Sequence, residues 1–214
     1  MGTLQKINKT RGETMKAVAL VASGRKKGNC YDFALFILEH LKEKGVDTEL
    51  IKFYEKKILP CFCAYECLQK FDPQKQVNAP CPIHDDVPLI WQKAGAADIL
   101  LIFVPTYGGL PPAPWVAFTQ RTQGLTPPEK TNSVVSAVVL ASPHLSTGTE
   151  WTPAIIADEI KHMDKEVAAF ELFNNAGYKT ENLFGRLITE NEIKRRLIFL
   201  VARTLEIYKM GKTP

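Results

Sequence analysis

Three runs of apolar, β-forming residues, Lys16 to Ala22, Ile99 to Val104 and Val134 to Ala141, constrain this chain more than any other feature. The second and third are almost continuously apolar and rich in branched residues, the pattern of parallel strands covered on both faces. Helical patterns lie between the runs. Ala34, Ile37, Leu38 and Leu41 recur at helical spacing, and Gly45 then suits the left-handed cap that ends a helix. Asp47 to Phe53 alternates polar with apolar residues, as a strand near a sheet edge does. Val167 to Phe173 reads as a fifth strand after a helix that Thr152 and Pro153 would start as N-cap and first turn. A last helix is expected to open on the capping box Thr189-x-x-Glu192 and to bury Ile193, Leu197, Leu200, Val201 and Leu205. Parallel strands need crossovers, and those crossovers cover both sheet faces, so the expected fold is an α/β three-layer sandwich around a five-stranded parallel sheet.

Composition sets limits on this reading. The 214 residues, 45% hydrophobic and 23% charged, suffice for one sizeable core, giving a single domain over 16–210 behind a polar N-terminal tail, 1–15. A net charge of +4 spread among acidic neighbours forms no nucleic-acid stripe. No apolar run is long enough for a bilayer, and the polar start resembles no export signal, so a cytoplasmic protein is expected. Five cysteines then argue for reduced thiols or a metal site rather than a disulfide framework.

In parallel α/β sheets ligands bind at the carboxyl ends of the strands, where the winding reverses. Three loops fall there: Ser23 to Asn29, Pro105 to Leu110 and Ser142 to Thr149. The first joins a strand to a helix N-terminus, where free N–H groups and the helix dipole attract an anion. It lacks both the Gly-x-Gly-x-x-Gly dinucleotide turn and the Gly-Lys-Ser/Thr of a P-loop. What remains is the Ser23 hydroxyl, Arg25 as a charge partner, and the amides of Gly28 and Asn29, which suit a terminal monophosphate better than a pyrophosphate. In the second loop, Tyr107 can cover a flat ring that the backbone of Gly108 and Gly109 can approach closely. Each loop also has a plain alternative, a solvated turn for the first and a tyrosine packed on the next helix for the second.

From about Lys16 through Arg121 these residues resemble the flavodoxin-like NAD(P)H-dependent FMN reductases, in particular their iron-sulfur flavoprotein branch. The family's phosphate loop Gly-Ser-Pro-Arg-x-x-Gly-Asn-Thr is similar to Ala22-Ser23-Gly24-Arg25-Lys26-Lys27-Gly28-Asn29-Cys30. Its Ser-Pro-x-Tyr-Trp-Gly segment looks like Val104-Pro105-Thr106-Tyr107-Gly108-Gly109, and its Phe-x-x-Arg like Phe118 and Arg121. The resemblance implies a flavodoxin-like strand order 2-1-3-4-5. It also implies FMN held at Ser23, Arg25, Gly28, Asn29 and Cys30 and edged by Pro105, Thr106, Tyr107, Gly108, Gly109 and Ser142. No side chain need then act as acid or base, because the flavin carries the chemistry. NAD(P)H or a protein donor would supply electrons to a small acceptor or redox partner, and the family commonly forms dimers or tetramers.

The cysteines extend the resemblance. The family's Pro-Cys-x-x-Cys-x-x-Cys and Cys-x-Ile-x-Asp-Asp blocks are similar to Pro60-Cys61, Cys67 and Cys81-Pro82-Ile83-His84-Asp85-Asp86, with Cys63 one residue before the family's second cysteine. Cys61, Cys63, Cys67 and Cys81 can be ligands of a [4Fe-4S] cluster, ligands of zinc, or uncoordinated thiols. They sit in a stretch of about thirty residues, Tyr54 to Asp85, without a clear element, which in a compact domain is more often functional than idle. Asp85 and Asp86 are expected to cap the helix that follows. His144 reads as a surface histidine, and Trp115 and Trp151 as packing or subunit-contact residues. Two rival readings remain: a flavin-free scaffold serving as a metal-binding or protein-interaction module, and a hydrolase using Cys30 as nucleophile.

Overall fold

The computed structural model describes residues 14–62, 81–122, 125, 133–141, 151–163, 165–174 and 186–211. The strands are β1 (Lys16–Val21), β2 (Asp47–Lys52), β3 (Ile99–Pro105), β4 (Val134–Ala141) and β5 (Glu166–Asn174). The helices, in chain order, are α1 (Asn29–Glu43), α2 (Val87–Ala96), α3 (Ala113–Thr122), α4 (Trp151–Lys161) and α5 (Asn191–Met210). All strand pairs are parallel, in the order β2-β1-β3-β4-β5. The expected three-layer, flavodoxin-like order 2-1-3-4-5 is therefore the observed one.

The apolar runs explain the layering. In β1, Ala17, Ala19 and Val21 join one core while Val18, Leu20 and Ala22 join the other. In β3 the split is Ile99, Leu101 and Phe103 against Leu100, Ile102 and Val104. Period-2 alternation thus feeds two cores, so a strand with both faces covered is apolar on both; the buried Ser136 of β4 is satisfied by Thr204, their hydroxyls 2.7 Å apart. The first core takes Phe33, Ile37 and Leu41 of α1 with Leu197, Leu200 and Val201 of α5. The second takes Ile90 and Trp91 of α2, Trp115 and Phe118 of α3, and Ile156 and Ile160 of α4. Phe118 packs edge-on against Phe53 and Trp91, with ring centroids 5.3 and 6.3 Å apart.

Several local expectations need correction. Gly45 does end α1: at φ 81 it donates to the Lys42 carbonyl at 2.9 Å, and Val46 to that of Leu41 at 3.2 Å, the paired bonds of a Schellman cap. Thr152 is not an N-cap, because α4 already begins at Trp151 and the threonine hydroxyl donates to the Gly109 carbonyl at 2.9 Å. The Thr189 capping box does not form either. Residues Leu187–Thr189 make a 3-10 turn, and the Thr189 hydroxyl donates back to the Arg186 carbonyl at 2.7 Å. β2 stops at Lys52, where Phe53 turns into a 3-10 segment and drops its ring into the second core. Among the described residues no helix is long and apolar enough to cross a membrane.

Candidate functional site

β2 lies to one side of β1, and β3 to β5 to the other, so the winding reverses between β1 and β3. Val21 pairs with Phe103, and the Ala22 N–H continues the ladder to the Phe103 carbonyl at 2.9 Å. This register puts the loop after β1 beside the loop after β3, at the crevice where open α/β sheets bind ligands.

Tyr107 joins the two loops. Its hydroxyl lies 3.1 Å from the Ser23 hydroxyl and accepts the Gly24 N–H at 3.1 Å, while Ser23 Oγ accepts the Arg25 N–H at 3.1 Å. Ser23 is 7% exposed and Tyr107 39%. The tyrosine stands on a tight turn, in which its N–H donates to the Leu110 carbonyl at 2.9 Å and Leu110 returns a bond at 3.1 Å. Gly108 at φ 58 and Gly109 at φ 84 form the corner, a type I′ conformation that only residues tolerating positive φ adopt at low cost. The Thr106 N–H, bonded to the Leu140 carbonyl at 3.0 Å, and Thr152, bonded to Gly109, hold this turn from both sides. Tyr107 was read from sequence as a ring-covering aromatic; the structure places its hydroxyl on the other loop.

Beyond Gly24, the chain reaches the first turn of α1, whose N–H groups have no intrahelical acceptor. Asn29 is buried and its side-chain oxygen accepts the Leu187 N–H at 3.0 Å, bracing the loop against the start of the last element. The Cys30 thiol turns into the first core and is 3% exposed. Burial pushes it up to about 12; the nearby Arg25 charge opposes that rise in part and Asp32 adds to it. Buried in the core with its proton held, the thiol is poorly placed to act as a nucleophile. The Cys30 hydrolase reading falls on that ground, and only the residue's backbone N–H is left to face an anion.

The cysteine segment is described only at its two ends. Cys63 and Cys67 lie outside the described residues, as do Ser142 and His144. Cys61 is exposed and Cys81 half-buried. Among the described residues no three metal-binding side chains converge. Two thiols at the neck of the segment are compatible with a four-thiolate site and do not constitute one.

Arg121 is the residue that the sequence left without a role. Its guanidinium donates to the Cys81 sulfur at 3.5 Å, the Ile83 carbonyl at 3.2 Å and the Leu59 carbonyl at 3.4 Å, and it forms an ion pair with Asp85. The Arg121 and Asp85 side chains are 1% and 0% exposed. Asp85 also accepts the Leu59 N–H at 2.8 Å and the Val87 N–H at 3.1 Å, and Asp86 accepts the Lys57 N–H at 2.8 Å. Asp86 is the N-cap but makes no side-chain cap bond and turns to the chain entering the segment, while Asp85, one residue earlier, bonds the first N–H of the helix. One buried ion pair ties both ends of residues 63–80 to α3. A lone arginine one turn after a core phenylalanine, on an otherwise apolar helix face, was the available signal.

Trp115 is fully buried, and its indole N–H donates to Glu159, which also accepts the Thr119 hydroxyl at 2.8 Å. Burial raises the Glu159 carboxyl above the usual range, with these two bonds opposing it. The cluster links α3 to α4 and is structural.

Residues 15–171 match the family described as NADPH-dependent FMN reductase. The "iron-sulfur flavoprotein" of Methanosarcina thermophila is 31% identical over 109 residues, 50% of this chain and 52% of that protein. The chain spans about half the length of the curated relatives it matches, 52% and 45%. Among solved structures, RosB with a bound 8-demethyl-8-formylriboflavin-5'-phosphate intermediate superposes with a TM-score of 0.66 at 17% identity, over 92% of this chain and 80% of that one. The apo form of the NADH:FMN oxidoreductase EMOB gives 0.58 at 12% identity, over 94% and 92%. At such identities these two superpositions speak to the fold alone.

Proposed function

Because this chain belongs to the NADPH-dependent FMN reductase family, we propose that it is an FMN-binding oxidoreductase that takes electrons from NAD(P)H or a protein donor and delivers them to a small acceptor or redox partner. The observation that carries the reading is the cradle at the β1/β3 crossing, in which Ser23, the Gly24 and Arg25 amides and Tyr107 gather in the loop that leads into α1. The donors there are neutral and Arg25 is the nearby charge, a set that suits the dianion of a phosphate monoester. FMN supplies hydride acceptance at its ring and onward electron transfer, the chemistry no side chain here provides.

The protein's part is binding and orientation. Ser23, Arg25, Gly28, Asn29 and the Cys30 backbone would take the phosphate, and the rigid turn from Pro105 to Gly109, with Ser142 beside it, would set the ring edge. The fit of an iron-sulfur cluster rests on Cys61, Cys63, Cys67 and Cys81, with Arg121 and Asp85 fixing the frame that carries Cys81. The similarity to the iron-sulfur flavoprotein of Methanosarcina thermophila supports that cluster. A homodimer or tetramer in the cytoplasm, without nucleic-acid or membrane partners, completes the reading.

The test is the visible spectrum of protein purified without oxygen, before and after NADPH, NADH and dithionite. Flavin bands bleached by a reduced nicotinamide support the oxidoreductase, and an added broad brown absorbance that dithionite bleaches supports the cluster. Colourless protein that ignores added FMN contradicts both.

A further inference from the structure

Tyr107 presents a conflict that the FMN reading alone does not resolve. Its phenol oxygen sits 3.1 Å from both the Ser23 hydroxyl and the Gly24 nitrogen, two groups at the mouth of the anion cradle. An oxygen acceptor held between an O–H and an N–H at those distances occupies a place that a phosphate oxygen would also suit. Ser23 Oγ also accepts the Arg25 N–H, and a phosphate oxygen in the phenol's place would take the Ser23 hydroxyl as a donor. The Gly24 donor departs from the resembled family motif, which has proline at this position and so no N–H to give.

We propose that Tyr107 is a latch on this cradle: its phenol and a phosphate monoester compete for Ser23 and Gly24, and the phosphate gains them by turning the phenol out. The inference rests on the FMN reading above. The exchange is favourable because hydrogen bonds to an anionic oxygen are roughly twice as strong as those to a neutral one. Only the side chain need move, since the Gly108-Gly109 turn is held by Thr106 and Thr152, and Tyr107 is 39% exposed. A flavin without its phosphate cannot work the latch. Tyr107 thereby holds the preference for FMN over riboflavin below what Ser23 and Gly24 alone would give.

Tyr107→Phe keeps the aromatic ring and removes the latch, on a half-exposed residue whose loss of one hydroxyl leaves both cores intact. Dissociation constants of wild type and variant for FMN and for riboflavin, by flavin-fluorescence quenching, make the test. The latch predicts FMN bound about tenfold tighter by the variant, the equivalent of one or two neutral hydrogen bonds no longer broken, with riboflavin unchanged. FMN bound more weakly by the variant overturns the latch and makes the hydroxyl a phosphate ligand. Equal changes for both flavins overturn it in favour of a ring contact. A wild-type protein that binds neither flavin overturns the FMN reading together with the latch, whereas the previous two outcomes leave that reading standing.

Discussion

Cys30 and Cys81 show how placement decides the chemistry of one residue type. Cys30 follows the anion loop in sequence, yet its thiol is core material, raised to about 12 by burial. A raised thiol favours the protonated native state, so its contribution is intact below the unfolded value near 9 and declines between about 9 and 12, where only the unfolded chain ionises. Denaturant titrations should therefore show a steeper alkaline loss of stability for wild type than for Cys30→Ala, by up to about 1.4 kcal/mol per pH unit in that window. A thiol reagent should label Cys30 only on unfolding. Equal alkaline slopes would contradict the burial. Sequence spacing identified the loop but not which way Cys30 points, because a first-turn residue can face either the ligand or the core. Arg121 was silent for a related reason: its partners Leu59, Cys81, Ile83 and Asp85 are distant in sequence and no local pattern announces them.

The elements were legible where burial is continuous and obscure where a cap had to be chosen. β1, β3 and β4 are nearly solid apolar runs and could be nothing but covered strands. Thr152 and Thr189 matched capping patterns, but each hydroxyl found a carbonyl to donate to instead. The Schellman end of α1 is real, and at Gly45 a Cβ would meet nothing within 4 Å, so Gly45→Ala should lose about 1 kcal/mol for backbone strain alone. At the neck of residues 63–80 the cost is larger. Arg121→Met leaves Asp85 buried and unpaired and should destabilise by about 3–5 kcal/mol, with faster proteolytic cleavage between Leu59 and Asp85. Arg121→Met with Asp85→Leu should recover part of that loss, and a double variant as unstable as the sum of its singles would contradict the clamp.

Across the whole molecule, the two ends of the sheet differ in how their polar groups are satisfied. At the end away from the loops, Asp98 accepts the Lys16 N–H and the Tyr208 hydroxyl, both at 2.8 Å. Lys165 there donates to the Gly95 and Ala97 carbonyls and to Ser133, at 3.1, 2.9 and 2.9 Å. The opposite end offers donors at a helix N-terminus and a hydroxyl pair on its rim, and the strand order puts the topological switch there. Order and switch point could be anticipated from the apolar runs and the resemblance. The contact between Tyr107 and Ser23 could not, since it joins residues 84 apart through a side-chain rotamer. A ligand that binds only the folded state at 100 times its dissociation constant adds about 2.7 kcal/mol, so saturating FMN should raise the melting temperature by roughly 5–10 °C and equimolar riboflavin by much less.

The central claim, that the Ser23–Asn29 loop holds this protein's cofactor by its phosphate, is tested most directly by calorimetric titration of flavin-stripped wild-type protein with FMN and, separately, with riboflavin. The account predicts saturable binding of one FMN per chain and riboflavin binding weaker by at least about a hundredfold, the loss expected when two or more charge-assisted bonds go with the phosphate. Riboflavin bound as tightly as FMN, or no saturable uptake of FMN, would contradict it.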